Sequence, residues 1–373
     1  MKPAIVKIVA GAPQTQIKPP FGLAKSKKML SAMKTAIKKV EVCCNNCGSK
    51  NSTLVTEGTE HEYKNTTSDV FRVVKCTDCG LVYLNPRPDV SELSTIYPSD
   101  YYAYHLAQKA TENTDSLLYK ARRHVYLSRL EKAVSMCGPN STIKVLDIGC
   151  ADGRALNWYK QVRSVKVQTY GVDFDEKAVE LARQAGHTVY AGRFEEADIP
   201  AAYFDLVVAT HVIEHVADPK LFAQRAFEVL KPGGIFLIET PNIESADAKL
   251  FKNRHWGGYH FPRHWIFYSP TTLKKLIEER GYIVEQTQFH PAPAFWNWTM
   301  HSLIGSVDRE RGGAFSRFSD WIFPPAEFQK NSLKNLIFVS AFTLLDVVLK
   351  AITGTTSNMS LAARKPNSSE PQN

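Results

Sequence analysis

Val145-Leu146-Asp147-Ile148-Gly149-Cys150-Ala151-Asp152-Gly153, answered by Tyr170-Gly171-Val172-Asp173, is the stretch that decides the fold of this chain. Val145–Ile148 reads as a buried strand carrying one acid, and the small residues after it make a tight turn into a helix. A second strand, Thr169–Val172, then runs into another acid, 26 residues after the first. Strand, small-residue turn, helix and strand make half of a nucleotide-binding βαβ unit. A dinucleotide turn wants G-x-G-x-x-G, which seats a pyrophosphate on the helix N-terminus. Here Gly149, Ala151 and Gly153 follow Asp147 as D-x-G-x-x-x-G, a turn that lets backbone approach a ligand without a phosphate to hold.

Outward from this stretch, strands and helices alternate from Lys144 on, which predicts a parallel sheet covered on both faces. A helix over Asp175–Ala185 is stopped by Gly186, and Thr188–Tyr190 is a third strand. Leu206–Thr210 and Ile235–Glu239 are the fourth and fifth, with a helix over Pro219–Leu230 between them. Ser269-Pro270 reads as the N-cap and first residue of the next helix. Gly281 ends it, and Ile283–Phe289 is the sixth strand.

Four further motifs surround the sheet: Gly192-Arg-Phe-Glu195 after strand three, Thr210-His-Val-Ile-Glu-His-Val216 after strand four, then Lys231-Pro-Gly-Gly234 and Glu239-Thr-Pro-Asn242 around strand five. With the opening turn, they resemble the S-adenosylmethionine (SAM) methyltransferases of class I, over roughly residues 144–290. Within that class the E-H-V segment resembles the ubiquinone-biosynthesis O-methyltransferases. The resemblance implies SAM held by Asp147, Gly149, Ala151, Gly153, Asp173, Phe194, Glu195 and His211. Asp173 would accept from both ribose hydroxyls, and Phe194 and Glu195 stand where adenine is contacted. The strand-four loop would face the methyl donor across the substrate, with Glu214 and His215 as catalytic candidates. After strand four Ala209-Thr210-His211 replaces N-P-P-Y or D-P-P-Y, which argues against an exocyclic amine acceptor, and no Pro-Cys nucleophile stands there for pyrimidine carbon.

His255-Trp-Gly-Gly-Tyr-His-Phe-Pro-Arg-His-Trp265 gathers three histidines, a tyrosine and an arginine at the carboxyl ends of the strands, where α/β folds bind ligands. His260 and His264 join the base candidates. Tyr259 and Arg263 are expected to bind substrate, the guanidinium holding a phosphate or carboxylate bidentately. A metal held by these histidines is the weaker reading, because no carboxylate lies at ligand spacing in the sequence.

The fold so implied has a seventh, antiparallel strand, for which Met359–Arg364 is the candidate. Residues 291–357 then form an insertion between strands six and seven, with Trp296, Trp298, Trp321 and an apolar segment from Leu333 to Ile352. On a helical wheel Ser340, Thr343, Asp346 and Lys350 share one face, and Ile337, Ala341, Leu344, Leu345, Val348 and Ile352 another. That predicts an amphipathic helix rather than a membrane span. Capping the substrate pocket, pairing in a dimer and lying on a membrane surface all fit it.

Seven cysteines, five in two tight clusters, suit a reduced compartment and a metal rather than a disulfide framework. Cys44, Cys47, Cys76 and Cys79 form two C-x-x-C-G knuckles, the pattern of a structural zinc with a closed thiolate shell. Cys43 is the spare. The knuckles followed by L-x-P-R-P also resemble the ribbon of bacterial methyltransferases acting on sugars and surface glycans. The net charge of +9 equals the nine lysines of residues 1–40, which contain no acid. The rest of the chain is neutral, which argues against a broad phosphate-binding face.

The expected architecture is an α/β SAM-type Rossmann domain with a small N-terminal zinc ribbon and a helical insertion. Its parts are a basic arm (1–41), the ribbon (42–90), a helical linker or cofactor cover (91–143), the core (144–290), the insertion (291–357), the last strand (358–365) and a tail (366–373). The arm carries an amphipathic helix over Ala24–Val40, and a tyrosine cluster, Tyr97, Tyr101, Tyr102 and Tyr104, precedes a helix over Ser116–Met136. The function expected is methyl transfer from SAM to an oxygen, or a carbon, of a small-molecule, sugar or glycolipid-type acceptor. An RNA methyltransferase using ribbon and lysine arm is one alternative, a non-catalytic SAM-binding scaffold another. The expected location is cytoplasmic, with peripheral membrane contact through residues 24–40 and 333–352 as an option.

Overall fold

A computed structural model describes residues 36–63, 66–98, 101, 117–310, 322–323 and 332–367. The central sheet has seven strands: β6 (Thr142–Ile148), β7 (Lys166–Asp173), β8 (Thr188–Ala191), β9 (Phe204–Thr210), β10 (Leu230–Pro241), β12 (Ile283–His290) and β13 (Asn358–Arg364). They lie in the order β12-β13-β10-β9-β6-β7-β8. β13 runs antiparallel between β10 and β12, and the other pairs are parallel. Every core strand falls at its expected place. The order reverses between β6 and β9, the crevice where an open α/β sheet binds its ligand.

The helices confirm their local signals. Asp175 caps α4 (Glu176–Gln184) and Asp218 caps α5 (Pro219–Val229), each carboxylate accepting from two backbone N–H groups. Ser269 and Thr272 form a reciprocal cap on α7 (Pro270–Glu278). Helix α2 (Leu117–Met136) precedes β6, and α3 (Arg154–Tyr159) follows the glycine turn.

The ribbon contains β2 (Ser52–Thr59), β3 (Val70–Cys76) and β4 (Val82–Leu84), with β2 and β3 forming an antiparallel pair between the knuckles. It is not a separate body. β11 (Ile266–Phe267), from the methyltransferase part, pairs antiparallel with β4 and completes a four-stranded sheet. Asn46, buried behind the first knuckle, donates to the Thr272 carbonyl at 2.9 Å. One apolar core runs without a break from Phe71, Val73 and Leu84 to Trp265, Phe236 and Leu276.

The basic helix expected over 24–40 lies mostly outside the described residues, and where the chain is described the expectation is corrected. Lys39–Val40 form strand β1, antiparallel to β5 (Arg87–Pro88). Ile37 is buried in the core, its N–H donating to Asp69 at 2.8 Å. The carboxylate and the strand partner offer this segment better hydrogen-bonding than a solvated helix end. Tyr102, Tyr104 and Trp321 lie outside the described residues.

The insertion supplies α8 (Pro293–Glu310) and α9 (Leu333–Thr353). α8 lies directly on the histidine-rich loop. A Cβ on Gly257 would stand 2.2 Å from the Phe295 carbonyl oxygen, so only glycine admits this approach.

Candidate active site

The turn after β6 has the conformation its glycines allow. Gly149 and Gly153 have φ of 74° and 77°, and Ala151 shares that region at 46°. A Cβ on Gly149 would meet Val212 Cγ2 at 2.9 Å, so this turn packs directly on the loop after β9. Asp173 receives the N–H of Ala151 on Oδ2 and that of Asp175 on Oδ1, both at 2.9 Å. Each oxygen keeps a lone pair, as a diol would need, and the turn and carboxylate together fit a SAM ribose and amino-acid moiety. Burial holds Asp173 above the usual carboxylate range.

Two of the residues expected to hold the cofactor lie inside the fold. Asp147 sits behind the turn: burial pushes it up to about 7, opposed by a hydrogen bond from Tyr159, whose hydroxyl pairs with that of Tyr126 at 2.7 Å. It fixes the strand end from inside. Phe194 turns into the core against Phe222, ring centroids 5.3 Å apart, because an apolar ring at this position gains more by burial than by facing the loops. Glu195 remains on the loop beside Arg193, at 3.7 Å.

The loop after β9 builds a cluster around Glu214, which is fully buried. Its Oε1 receives His211 Nδ1 at 3.1 Å and its Oε2 the Thr240 hydroxyl at 3.0 Å. His211 takes a left-handed backbone, φ 54°, and points Nε2 toward Glu239 at 3.9 Å. Burial alone would lower the His211 pKa, but the Glu214 hydrogen bond and the two carboxylate charges hold it above its ordinary value. His215 Nδ1 donates to the Arg263 carbonyl at 3.0 Å and meets the Tyr97 hydroxyl at 2.8 Å, which leaves Nε2 as the lone-pair nitrogen. Burial pushes His215 down to about 4.

The histidine loop closes over this cluster. The His264 ring meets that of His215 edge to face, centroids 4.5 Å apart, and its Nδ1 is tied to the Gly258 carbonyl at 2.8 Å. His260 is 1% exposed, with Nδ1 at 2.6 Å from Glu62 and Nε2 at 3.3 Å from the Tyr101 hydroxyl. Burial works against the Glu62 charge, yet His260 and Arg263 bring its carboxyl down to about 2. Trp298 of α8 stacks on His260 at 5.4 Å, and Phe295 meets the His211 ring edge-on at 6.0 Å. The insertion therefore covers the cluster.

Both residues expected to bind substrate have their polar groups engaged within the fold. Arg263 is fully buried with Nη2 at 2.5 Å from Glu60, and its guanidinium lies 4.5 Å over the Tyr63 ring. Burial opposes its charge, but Glu60 and Glu62 more than offset that and raise its pKa. A cation so enclosed is committed to the fold. Tyr259 is equally buried, its hydroxyl donating to the Lys252 carbonyl at 2.9 Å. The sequence reading also missed Glu60, Glu62 and Thr240. The one available signal was the Glu60-His61-Glu62-Tyr63 run, an acidic pair around a histidine in a ribbon. Nor did it foresee that Glu214, His215 and His264 present ligand atoms within 4.8 Å of one another, a carboxylate among imidazoles.

In the ribbon, the sulfurs of Cys44, Cys47, Cys76 and Cys79 all lie within 4.8 Å of one another. Cys44–Cys79 and Cys47–Cys76 are 3.3 and 3.5 Å apart, close to the ~3.8 Å that tetrahedral zinc–sulfur bonds of ~2.3 Å impose. Gly48 and Gly80 take φ of 78° and 79°, turning their N–H groups onto the Cys44 and Cys76 carbonyls. Burial opposes the Cys76 thiolate, but amide hydrogen bonds from Cys79 and Asp78 bring its pKa down to about 7. Four thiols so disposed fit zinc, and Cys43 lies exposed outside them.

A family model described as a methyltransferase domain matches residues 119–287. A ubiquinone biosynthesis O-methyltransferase of Bradyrhizobium sp. (strain ORS 278) is 30% identical over 185 residues, covering 43% of this chain and 67% of that protein. This chain belongs to the SAM-dependent methyltransferases. A probable SAM-dependent methyltransferase of Mycolicibacterium smegmatis is 33% identical over 156 residues, 40% of this chain and 56% of that protein. The mitochondrial ubiquinone biosynthesis O-methyltransferase of Mus musculus is 29% identical over 186 residues, 44% of this chain and 49% of that protein. The match thus spans about half the length of these last two relatives. The family model takes in the core and the histidine loop, whereas the ribbon and the insertion lie outside it.

Proposed function

We propose that this methyltransferase moves a methyl group onto a hydroxyl oxygen of a small-molecule or sugar-type acceptor, with His260 as the base. The observation that carries the reading is the Glu62–His260 pair, 2.6 Å apart and buried beside the Glu214 cluster. A carboxylate on Nδ1 fixes the tautomer, so that Nε2 holds the lone pair and faces Tyr101. Bound SAM would supply a methyl already activated by the sulfonium charge. What remains for the protein is alignment, exclusion of water and acceptance of one proton. Turn Gly149–Gly153 and Asp173 would hold the donor, α8 would exclude water, and His260 would take the proton that the acceptor hydroxyl loses. His215, with a free Nε2 and a pKa near 4, is better suited to orient an acceptor by hydrogen bonding than to draw a proton from it. Zinc in the ribbon would be structural, holding the segment from which Glu60 and Glu62 reach the site.

Labelled methyl from SAM, offered with fractionated cell extract, tests this directly. Label in the small-molecule or glycan fraction, abolished in His260→Ala, is expected. Label in RNA would favour nucleic acid as substrate, and no transfer at all with SAM bound would mean a non-catalytic binding protein.

A further inference from the structure

Helix α9 is turned inside out for a soluble domain. Two polar side chains face the protein, while Ser340 and Lys350 stay exposed: Asp346, 1% exposed, accepts from the Ala292 N–H at 2.6 Å and from Trp296 Nε1 at 2.8 Å, and Asn335 is buried near the helix start. Phe342 stacks on Trp296, centroids 6.2 Å apart, and Phe338 on Phe342 at 6.0 Å. The outward side carries Leu333, Ile337, Leu344, Val347, Val348 and Ile352, each between 47 and 76% exposed. Together they present on the order of 600 Å² of aliphatic surface, at the upper end of what soluble monomers show. The buried carboxylate pins this orientation, because rolling the apolar side inward would strip Asp346 of both donors and expose Trp296.

We infer that α9 seats the protein on the surface of an anionic lipid bilayer, its outer face sunk among headgroups and upper acyl chains. By length and composition, 21 residues, the helix is apolar enough to cross a membrane. The Asp346 side, however, is bonded to α8, and crossing would carry a carboxylate into hydrocarbon. The helix therefore lies on the bilayer rather than spanning it. Chemistry favours lipid over a second copy of this chain. The six outward residues are all aliphatic, without the Trp, Tyr or Arg anchors on which protein interfaces depend. Charge agrees: Lys334 and Lys350 stand at the two ends, and the only carboxylate of the helix faces inward. The net charge of +9 equals the nine lysines ahead of residue 41; Lys38 and Lys39 pair with Asp89 and Asp69, and the other seven make a basic segment of the kind that anionic headgroups attract.

Flotation of the full chain with phosphatidylcholine vesicles, with and without phosphatidylglycerol, tests the inference. The protein should float with the anionic vesicles, and high salt should weaken the association. The double variant Leu344→Asp, Val348→Asp should lose at least about tenfold in partitioning, since two exposed aliphatic contacts are removed. Its SAM affinity should match wild type and its melting temperature should stay within a few degrees, because Leu344 is 65% and Val348 47% exposed. Wild-type protein that stays at the bottom with anionic vesicles overturns the inference, as does equal flotation of the variant. A concentration-dependent dimer that the variant abolishes also overturns it, assigning the face to a second copy.

Discussion

Glu62→Gln is the sharpest probe of the proposed base. The substitution keeps shape and volume but replaces a carboxylate, 2.6 Å from His260 Nδ1 and 1% exposed, with a neutral amide. Losing the charge costs the difference between a charge-assisted and a neutral hydrogen bond, about 1–2 kcal/mol. In a domain of this size that lowers the melting temperature by several degrees. The catalytic effect should be far larger. If the amide NH₂ donates to Nδ1, the imidazole proton moves to Nε2, and the nitrogen facing Tyr101 can no longer accept one. Loss of a positioned base typically costs about 10²–10⁴ in kcat. Methyl transfer at saturating SAM should fall within that range while the calorimetric affinity for SAM is kept. Because the Glu62 carboxyl is held near 2 in the folded protein, its charge contributes stability above its unfolded pKa of about 4.5. That contribution is lost as pH falls from there through 2, and Glu62→Gln should flatten this acid limb. A kcat within threefold of wild type would refute the dyad, whatever the stability change.

Three further outcomes follow from other parts of the site. Asp173→Ala removes the acceptor of two backbone N–H groups and of the expected ribose hydroxyls; the calorimetric Kd for SAM should rise about 10- to 100-fold, and an unchanged Kd would sink the ribose assignment. Asp147 is pushed up to about 7 by burial, so its ionisation destabilises the fold progressively as pH rises from about 4 through 7. Asp147→Asn should therefore raise the melting temperature at pH 8, by up to about 4 kcal/mol in stability, and change little at pH 4. Chelation should remove one zinc per chain and lower a single, shared calorimetric transition, because β11 belongs to the ribbon sheet and the two parts have one core. Metal loss with an unchanged transition would show that zinc holds nothing in place.

Local signals carried most of the fold. Glycine turns, capping residues and apolar runs act within a few residues, so β6, β7, α4, α5 and α7 stand where Gly149, Gly153, Asp175, Asp218 and Ser269 place them. The antiparallel β13 was legible too, although it pairs across 60 residues and more, because the resemblance to class I methyltransferases implied a sheet that lacked one member. The candidate site was read less well. His211, Glu214, His215, His260 and His264 do come together, but the Arg263 guanidinium is taken up by Glu60 and the Tyr259 hydroxyl by the Lys252 carbonyl. In sequence an arginine that binds substrate and one that binds a carboxylate look alike; the difference lies in Glu60, 203 residues away.

By itself the sequence determined the cofactor-binding half-site, the strands that follow it and the four-cysteine cluster, since each depends on residues close along the chain. Only the tertiary structure decided that His260 has a carboxylate partner supplied by the ribbon, and that α9 turns its aliphatic face outward. Those outcomes depend on which buried charges meet, and a charge taken from water must find its partner wherever the fold places one.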